Sequence, residues 1–136
     1  MSKRILVIED QADNRQILRD LLTNADFEVI EAEDGEAGLA AAAAHRPDLI
    51  LMDIQLPILD GYETTRRIKA DAVLRAIPVI AVTSYGLAGD DEKARAAGCD
   101  AYISKPYSPR QLLAKVREYL SGAPAERWSS ELHGDH

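Results

Sequence analysis

Four apolar runs in this chain each deliver a residue suited to phosphoryl chemistry to their carboxyl ends. Arg4–Ile8 runs into Glu9-Asp10, Asp48–Met52 into Asp53, Ile77–Val82 into Thr83-Ser84, and Ala101–Ser104 into Lys105-Pro106. Strands of an open parallel sheet present their carboxyl ends along one edge, where ligands bind. A carboxylate pair, a lone aspartate, a hydroxyl and a lysine would converge there. Two like charges 4 Å apart repel by ~4 kcal/mol at an effective dielectric of 20. A cluster of Glu9, Asp10 and Asp53 must therefore take up protons or hold a cation. Oxygen ligands and an open, partly hydrated site suit Mg²⁺ best, and such an ion offsets the charge of a phosphoryl group in flight. A carboxylate can attack phosphorus and become an aspartyl phosphate. Lys105 offers a compact positive charge to a phosphoryl oxygen, and Thr83 a hydroxyl donor.

The elements that must position these groups alternate between strand and helix. Ile5–Ile8 is a short buried-strand run, after which Ile17, Leu18, Leu21 and Leu22 fall on one helical face. Phe27–Ile30 is a weaker strand ending near Ala32. Asp34 caps a helix through the alanine-rich stretch Ala40–Ala44, and Pro47 stops it. Leu49–Met52 is a third strand, and Asp60 and Glu63 have capping-box spacing at the head of a helix running to about Asp71. Pro78–Val82 is the fourth strand, Asp90–Ala97 a short helix closed by Gly98, and Ala101–Ile103 the fifth strand. Ser108-Pro109-Arg110-Gln111 combines an N-cap, a proline at the first helical position and a capping glutamine. The last helix carries Leu112, Leu113, Val116 and Leu120 on one face and stops at Gly122. This is a (βα)5 pattern. Near-continuous apolar strands imply a parallel sheet buried on both faces. Short right-handed crossovers favour a doubly wound flavodoxin-like sheet in the order 2-1-3-4-5.

The 136 residues fit one domain, 1–122, followed by a tail, 123–136, that lacks sustained periodicity and is expected to be mobile. An apolar fraction of 46% suits a globular chain, and the net charge of −7 argues against DNA, whose phosphates need a basic face. No apolar run approaches membrane-spanning length and no signal peptide is visible, so no membrane partner is expected. Cys99 is the single cysteine and suits a cytoplasmic setting as a small buried residue. His45 would sit favourably at a helix C-terminus.

With the motifs Ile8-Glu9-Asp10, Leu51 through Gly61, Val82-Thr83-Ser84, Gly98 through Tyr102 and Lys105-Pro106, the chain resembles the receiver domain of bacterial response regulators. The likeness is to the stand-alone form of the CheY and DivK type, and it spans residues 4 to 121. It implies that Asp53 accepts a phosphoryl group from the histidine of a kinase or a histidine phosphotransfer protein. It implies Mg²⁺ held by Asp10, Asp53 and the backbone carbonyl of Gln55, with Glu9 acting through water. Thr83 and Tyr102 would report phosphorylation, Lys105-Pro106 would be a cis peptide, and Gln55 and Tyr85 would tune the phosphoryl lifetime. Such a protein is a signalling switch rather than an enzyme, catalysing only its own phosphorylation and dephosphorylation. A homodimer is compatible with it, and so is a role as phosphorelay intermediate or phosphate sink.

Two other classes share parts of the pattern. A haloacid-dehalogenase-type phosphatase also uses an aspartate nucleophile after a strand, but needs a second aspartate two positions on, where Gln55 stands and cannot shuttle a proton. A flavodoxin would offer hydroxyls and amides to the FMN phosphate in its first loop. Here that loop is Glu9-Asp10-Gln11-Ala12-Asp13, which repels phosphate unless a cation intervenes.

Overall fold

The computed structural model describes residues 2–56, 58–83 and 90–121. The expected tail, the stop at Gly122, and Ser84 and Tyr85 lie outside them. Among the described residues ten elements alternate between strand and helix: β1 (Arg4–Ile8), α1 (Ala12–Asn24), β2 (Glu28–Ala32), α2 (Gly35–His45), β3 (Leu49–Asp53), α3 (Gly61–Ala70), β4 (Val79–Thr83), α4 (Asp90–Ala97), β5 (Ala101–Ser104) and α5 (Pro109–Leu120). All strands pair in parallel in the order β2-β1-β3-β4-β5, as expected.

The continuous apolar character of the strands has a direct structural reading. Side chains alternate between faces along a strand, and each face packs a separate layer. Leu6, Ile8, Ile50, Met52, Val79 and Ala81 meet Ala42 of α2, Ile68 of α3 and Ala94 of α4. Ile5, Val7, Leu49, Leu51, Ile80 and Val82 meet Leu18 and Leu22 of α1 and Leu112 and Val116 of α5. Each large apolar side chain so buried contributes roughly 1.5–3 kcal/mol. A polar residue within β1, β3 or β4 would therefore be paid for on whichever side it faced.

The helix ends follow their chemistry, with two corrections. Asp34 accepts from the Ala37 amide (2.8 Å) at the head of α2, and Arg46 in a left-handed conformation ends that helix before Pro47. Ser108 and Gln111 form a complete capping box on α5. Asp60 caps α3 through the Glu63 amide (2.8 Å), but the box is half-made, because the Glu63 carboxylate pairs with Arg66 and Arg67 instead. Ile17, expected on the buried face of α1 beside Leu18 and Leu22, is 60% exposed. The helix phase is set by Leu18 and Leu22, 0–3% exposed, and leaves Ile17 on the outside. His45 ends α2, where its side chain suits the helix dipole. Gly98, at φ +105°, closes α4 in a conformation open chiefly to glycine. Among the described residues no helix is long and apolar enough to cross a membrane.

Candidate functional site

The parallel register lines up the strand ends that carry chemistry. Met52 pairs with Ile8, Asp53 with Val82, and Thr83 with Ser104. The ladder continues one step past the strands, with the Glu9 amide donating to the Ala32 carbonyl (3.0 Å) and the Lys105 amide to the Thr83 carbonyl (2.7 Å). Glu9, Asp53, Thr83 and Lys105 thus come from four strands but share one edge.

Carboxylate oxygens of Glu9, Asp10 and Asp53 all lie within 4.8 Å of one another. Glu9 and Asp53 are buried, at 2% and 5% exposure, and Asp10 is half-buried at the rim. Burial, reinforced by the neighbouring Glu9 carboxylate, pushes Asp53 up to about 7. The same two causes raise Asp10. Burial of Glu9 and Asp53 weakens the screening of these charges, so the cluster favours either a shared proton or a cation. Oxygen-only donors at this spacing, open to solvent through Asp10, fit a hard divalent ion.

Glu9 is fixed on every side. Its Oε1 faces Lys105 Nζ at 3.3 Å, its Oε2 accepts from the Gln11 amide at 3.0 Å, and its carbonyl accepts from Arg15 Nη1 at 2.9 Å. Asp53 Oδ1 accepts from the Gln55 amide at 3.2 Å, which brings the Gln55 backbone to the edge of the cluster. The Lys105-Pro106 peptide is cis. Thr83 is 3% exposed, and its Oγ1 has no hydrogen-bond partner among the described residues. A buried hydroxyl without a partner is uncommon, and this one sits at the same edge as Asp53. Tyr102 is outside the cluster. It pairs with Ala81, stays half-buried, and packs against the layer containing α2, α3 and α4. Tyr85, expected to flank the site, lies outside the described residues.

Three neighbours escaped the sequence reading. Arg15, in α1, reaches back to the carbonyls of both Glu9 and Asp10; a basic residue in a first helical turn reads as solvated, and only its place five and six residues after the acidic pair hints otherwise. Tyr107 is half-buried close enough that Glu9 and Asp53, after burial itself, raise its hydroxyl above the ordinary range. Gly61 heads α3 directly against β3, where an added Cβ would meet the Asp53 carbonyl and the Ile54 Cα. Gly61, directly after the capping Asp60, is thus the means by which α3 comes this close to the site.

A five-stranded parallel sheet in this order, with an acidic trio and a lysine at its carboxyl edge, is a CheY-like α/β fold. The response regulator receiver domain profile matches residues 5–117, and the chain belongs to that family. It is similar to the polar-differentiation response regulator DivK of Brucella anthropi and of Brucella ovis, at 46% and 45% identity over 123 residues. Those alignments cover 90% of this chain and 100% of each relative. Among solved structures it resembles the receiver domain of a sensor histidine kinase from Pseudomonas aeruginosa, determined with a magnesium ion coordinated in its active-site cleft. That match has a TM-score of 0.84 and 34% identity, and covers 90% of this chain and 100% of the other. The chemotaxis protein CheY4 of Vibrio cholerae superposes with a TM-score of 0.82 at 25% identity, covering 87% of this chain and 98% of that one.

Proposed function

We propose that this receiver accepts a phosphoryl group on Asp53 from the phosphohistidine of a kinase or a histidine phosphotransfer protein, and that the acyl phosphate alters which proteins it binds. The observation that carries this reading is the acidic trio with Lys105 beside it. An Asp53 carboxylate oxygen attacks phosphorus, forming the P–O bond as the P–N bond to the donor histidine breaks; the leaving imidazole takes up a proton. Lys105 offers its ammonium to a phosphoryl oxygen, and Thr83 its spare hydroxyl to another. Asp10, Asp53 and the Gln55 carbonyl are the groups that would hold Mg²⁺, with Glu9 acting through water. Such an ion, when bound, supplies positive charge that offsets both the carboxylates and the incoming phosphoryl group. The acidic donor set supports this ligand, and the negative net charge of the chain supports protein rather than DNA as partner.

Incubation with acetyl phosphate and Mg²⁺, followed by intact mass measurement, tests the reading. One added phosphoryl group is expected, lost with EDTA and absent in Asp53→Ala. Unchanged labelling of Asp53→Ala would overturn it. Return of the group to a histidine protein would mark a relay rather than a terminal switch.

A further inference from the structure

Arg15 is an unusually covered arginine: its side chain is only 15% exposed. Long cationic side chains are rarely this buried without specific partners. Its Nη1 donates to the Glu9 carbonyl (2.9 Å) and the Asp10 carbonyl (3.2 Å), and its Nε lies 3.4 Å from Glu31 Oε1. Glu31 belongs to β2 and is held from its other oxygen by Arg19 Nη1 at 3.0 Å. One guanidinium therefore ties the loop bearing the acidic pair to the end of the neighbouring strand. On the acidic pair it takes only backbone carbonyls and leaves the Glu9 and Asp10 carboxylates alone.

That arrangement constrains the site in a particular way. The Glu9 amide is already bonded to Ala32. With the Glu9 and Asp10 carbonyls drawn toward Arg15, the peptides on both sides of Glu9 and the one after Asp10 are held. The side chains of the two acids must then leave the backbone toward Asp53. From this we infer that Arg15 is a positioning residue for the cation site: it touches no reacting atom, but sets the spacing of the Glu9 and Asp10 carboxylates. This rests on the cation-assisted phosphoryl transfer proposed above. Groups behind metal ligands commonly change affinity by tenfold or more when removed. The planar fork is essential to the role, since Nη1 meets the two carbonyls while Nε, elsewhere on the guanidinium, faces Glu31; a lysine ammonium gathers only acceptors that converge on one point and cannot span both ends.

Electrostatics alone makes the opposite forecast. A positive charge near a cation site opposes the cation, so neutralising Arg15 would tighten Mg²⁺ binding, and Arg15→Lys would leave it unchanged. Positioning predicts that Arg15→Lys and Arg15→Met both weaken it. The test is calorimetric titration of Mg²⁺ into the full chain and its two variants, with acetyl phosphate labelling rates measured across the same Mg²⁺ range and thermal midpoints taken in EDTA. The expected result is about a tenfold weaker affinity for Arg15→Lys, with its labelling curve moved to higher Mg²⁺ and reaching the parent's plateau. Parent affinity in Arg15→Lys, or tighter binding by Arg15→Met, overturns the inference. So does a lowered thermal midpoint with Mg²⁺ affinity unmoved, which marks a packing role. Should Arg15→Met not fold, the charge-retaining variant carries the comparison alone. A parent that binds no Mg²⁺ would overturn the proposed function as well, and is thereby distinguished from failure at Arg15 only.

Discussion

Lys105 Nζ lies 3.3 Å from Glu9 Oε1, so the lysine expected to meet a phosphoryl group is engaged with the most buried member of the acidic cluster. The pair joins the β5 end to the β1 end across the site. Glu9 is 2% exposed, and its other oxygen has one amide partner. Removing the ammonium leaves a buried carboxylate under-compensated beside two others.

Lys105→Met is accordingly expected to lower stability in EDTA. Breaking a fully buried pair costs about 3–5 kcal/mol, but the lysine side chain is 25% exposed. Solvent screening brings the expectation to about 1–2 kcal/mol. Mg²⁺ should restore more stability to the variant than it adds to the parent, because the ion can replace the missing charge. Urea midpoints with EDTA and with Mg²⁺ measure both effects, and an equal Mg²⁺ increment in the two proteins would contradict the account.

Thr83 stands at the same edge with its hydroxyl buried and without a partner among the described residues. Thr83→Val keeps the branched shape and removes the polar group. A buried hydroxyl lacking a partner costs roughly 1–3 kcal/mol, so the variant is expected to be more stable by about 1 kcal/mol. It should lose function in exchange. In the parent, phosphorylation is expected to change amide exchange along α4 and across β5 to residue 108, where Tyr102 is half-buried against the layer containing α4. In Thr83→Val the acyl phosphate should still form while that exchange change disappears. Exchange changes confined to β2 and α2 in the parent would place the output elsewhere.

Ile58 lies between Asp53 and α3 with φ +69° and 76% exposure. A β-branched residue in the left-handed region is strained, by about 1–3 kcal/mol. Exposure means that packing does not repay it. Ile58→Asn is expected to raise stability by about 1 kcal/mol, since asparagine tolerates that conformation. A strained, exposed isoleucine on the loop five residues beyond Asp53 is also well placed to meet a protein donor. The variant should therefore slow phosphotransfer from a histidine phosphotransfer protein and leave labelling by acetyl phosphate unchanged. Equal slowing with both donors would remove Ile58 from donor contact.

The central strands were legible because Ile5–Ile8, Leu49–Met52 and Val79–Val82 are apolar at every position, as a parallel sheet covered on both faces requires, whereas β2, with Glu28 and Glu31, was the weaker reading. The acidic trio was legible because β1 and β3 end on it. What stayed hidden depends on three-dimensional partners. Ile17 sits at the edge of an apolar stripe whose phase only Leu18 and Leu22 decide. Nothing near Gln11 announces the start of α1, where no side-chain cap forms. The Glu63 carboxylate had two arginines within one turn competing with its own cap. Arg15 acts through backbone carbonyls, which have no letter in a sequence. Lys69 is hidden likewise: its ammonium gathers the Arg75 and Ile77 carbonyls and Asp100 at the opposite edge of the sheet, a knot visible only once the end of α3 meets the segments that lead into β4 and β5.

Cys99 is buried against α3. Its thiol donates to Thr65 Oγ1 (3.7 Å), and Thr65 donates to the Gly61 carbonyl (2.7 Å) at the head of α3. Burial pushes the Cys99 thiol from 9.0 up to about 11. The native state therefore keeps this proton through a pH range in which the unfolded chain loses it. With fewer protons on the unfolded state, unfolding becomes easier as pH rises. The stability linked to Cys99 is fully present below pH 9.0 and is lost between that value and about 11. Two pKa units correspond to about 3 kcal/mol at the upper limit. Cys99→Ala should begin about 1–2 kcal/mol less stable near neutrality, from the atom removed, and then decline less steeply than the parent across that window. Every other ionisable group is common to both proteins, so the difference between the two curves isolates the thiol. Chemical unfolding at half-unit steps from pH 8 to pH 11 measures it, and parallel curves would show that Cys99 ionises in the folded protein as readily as in the unfolded chain.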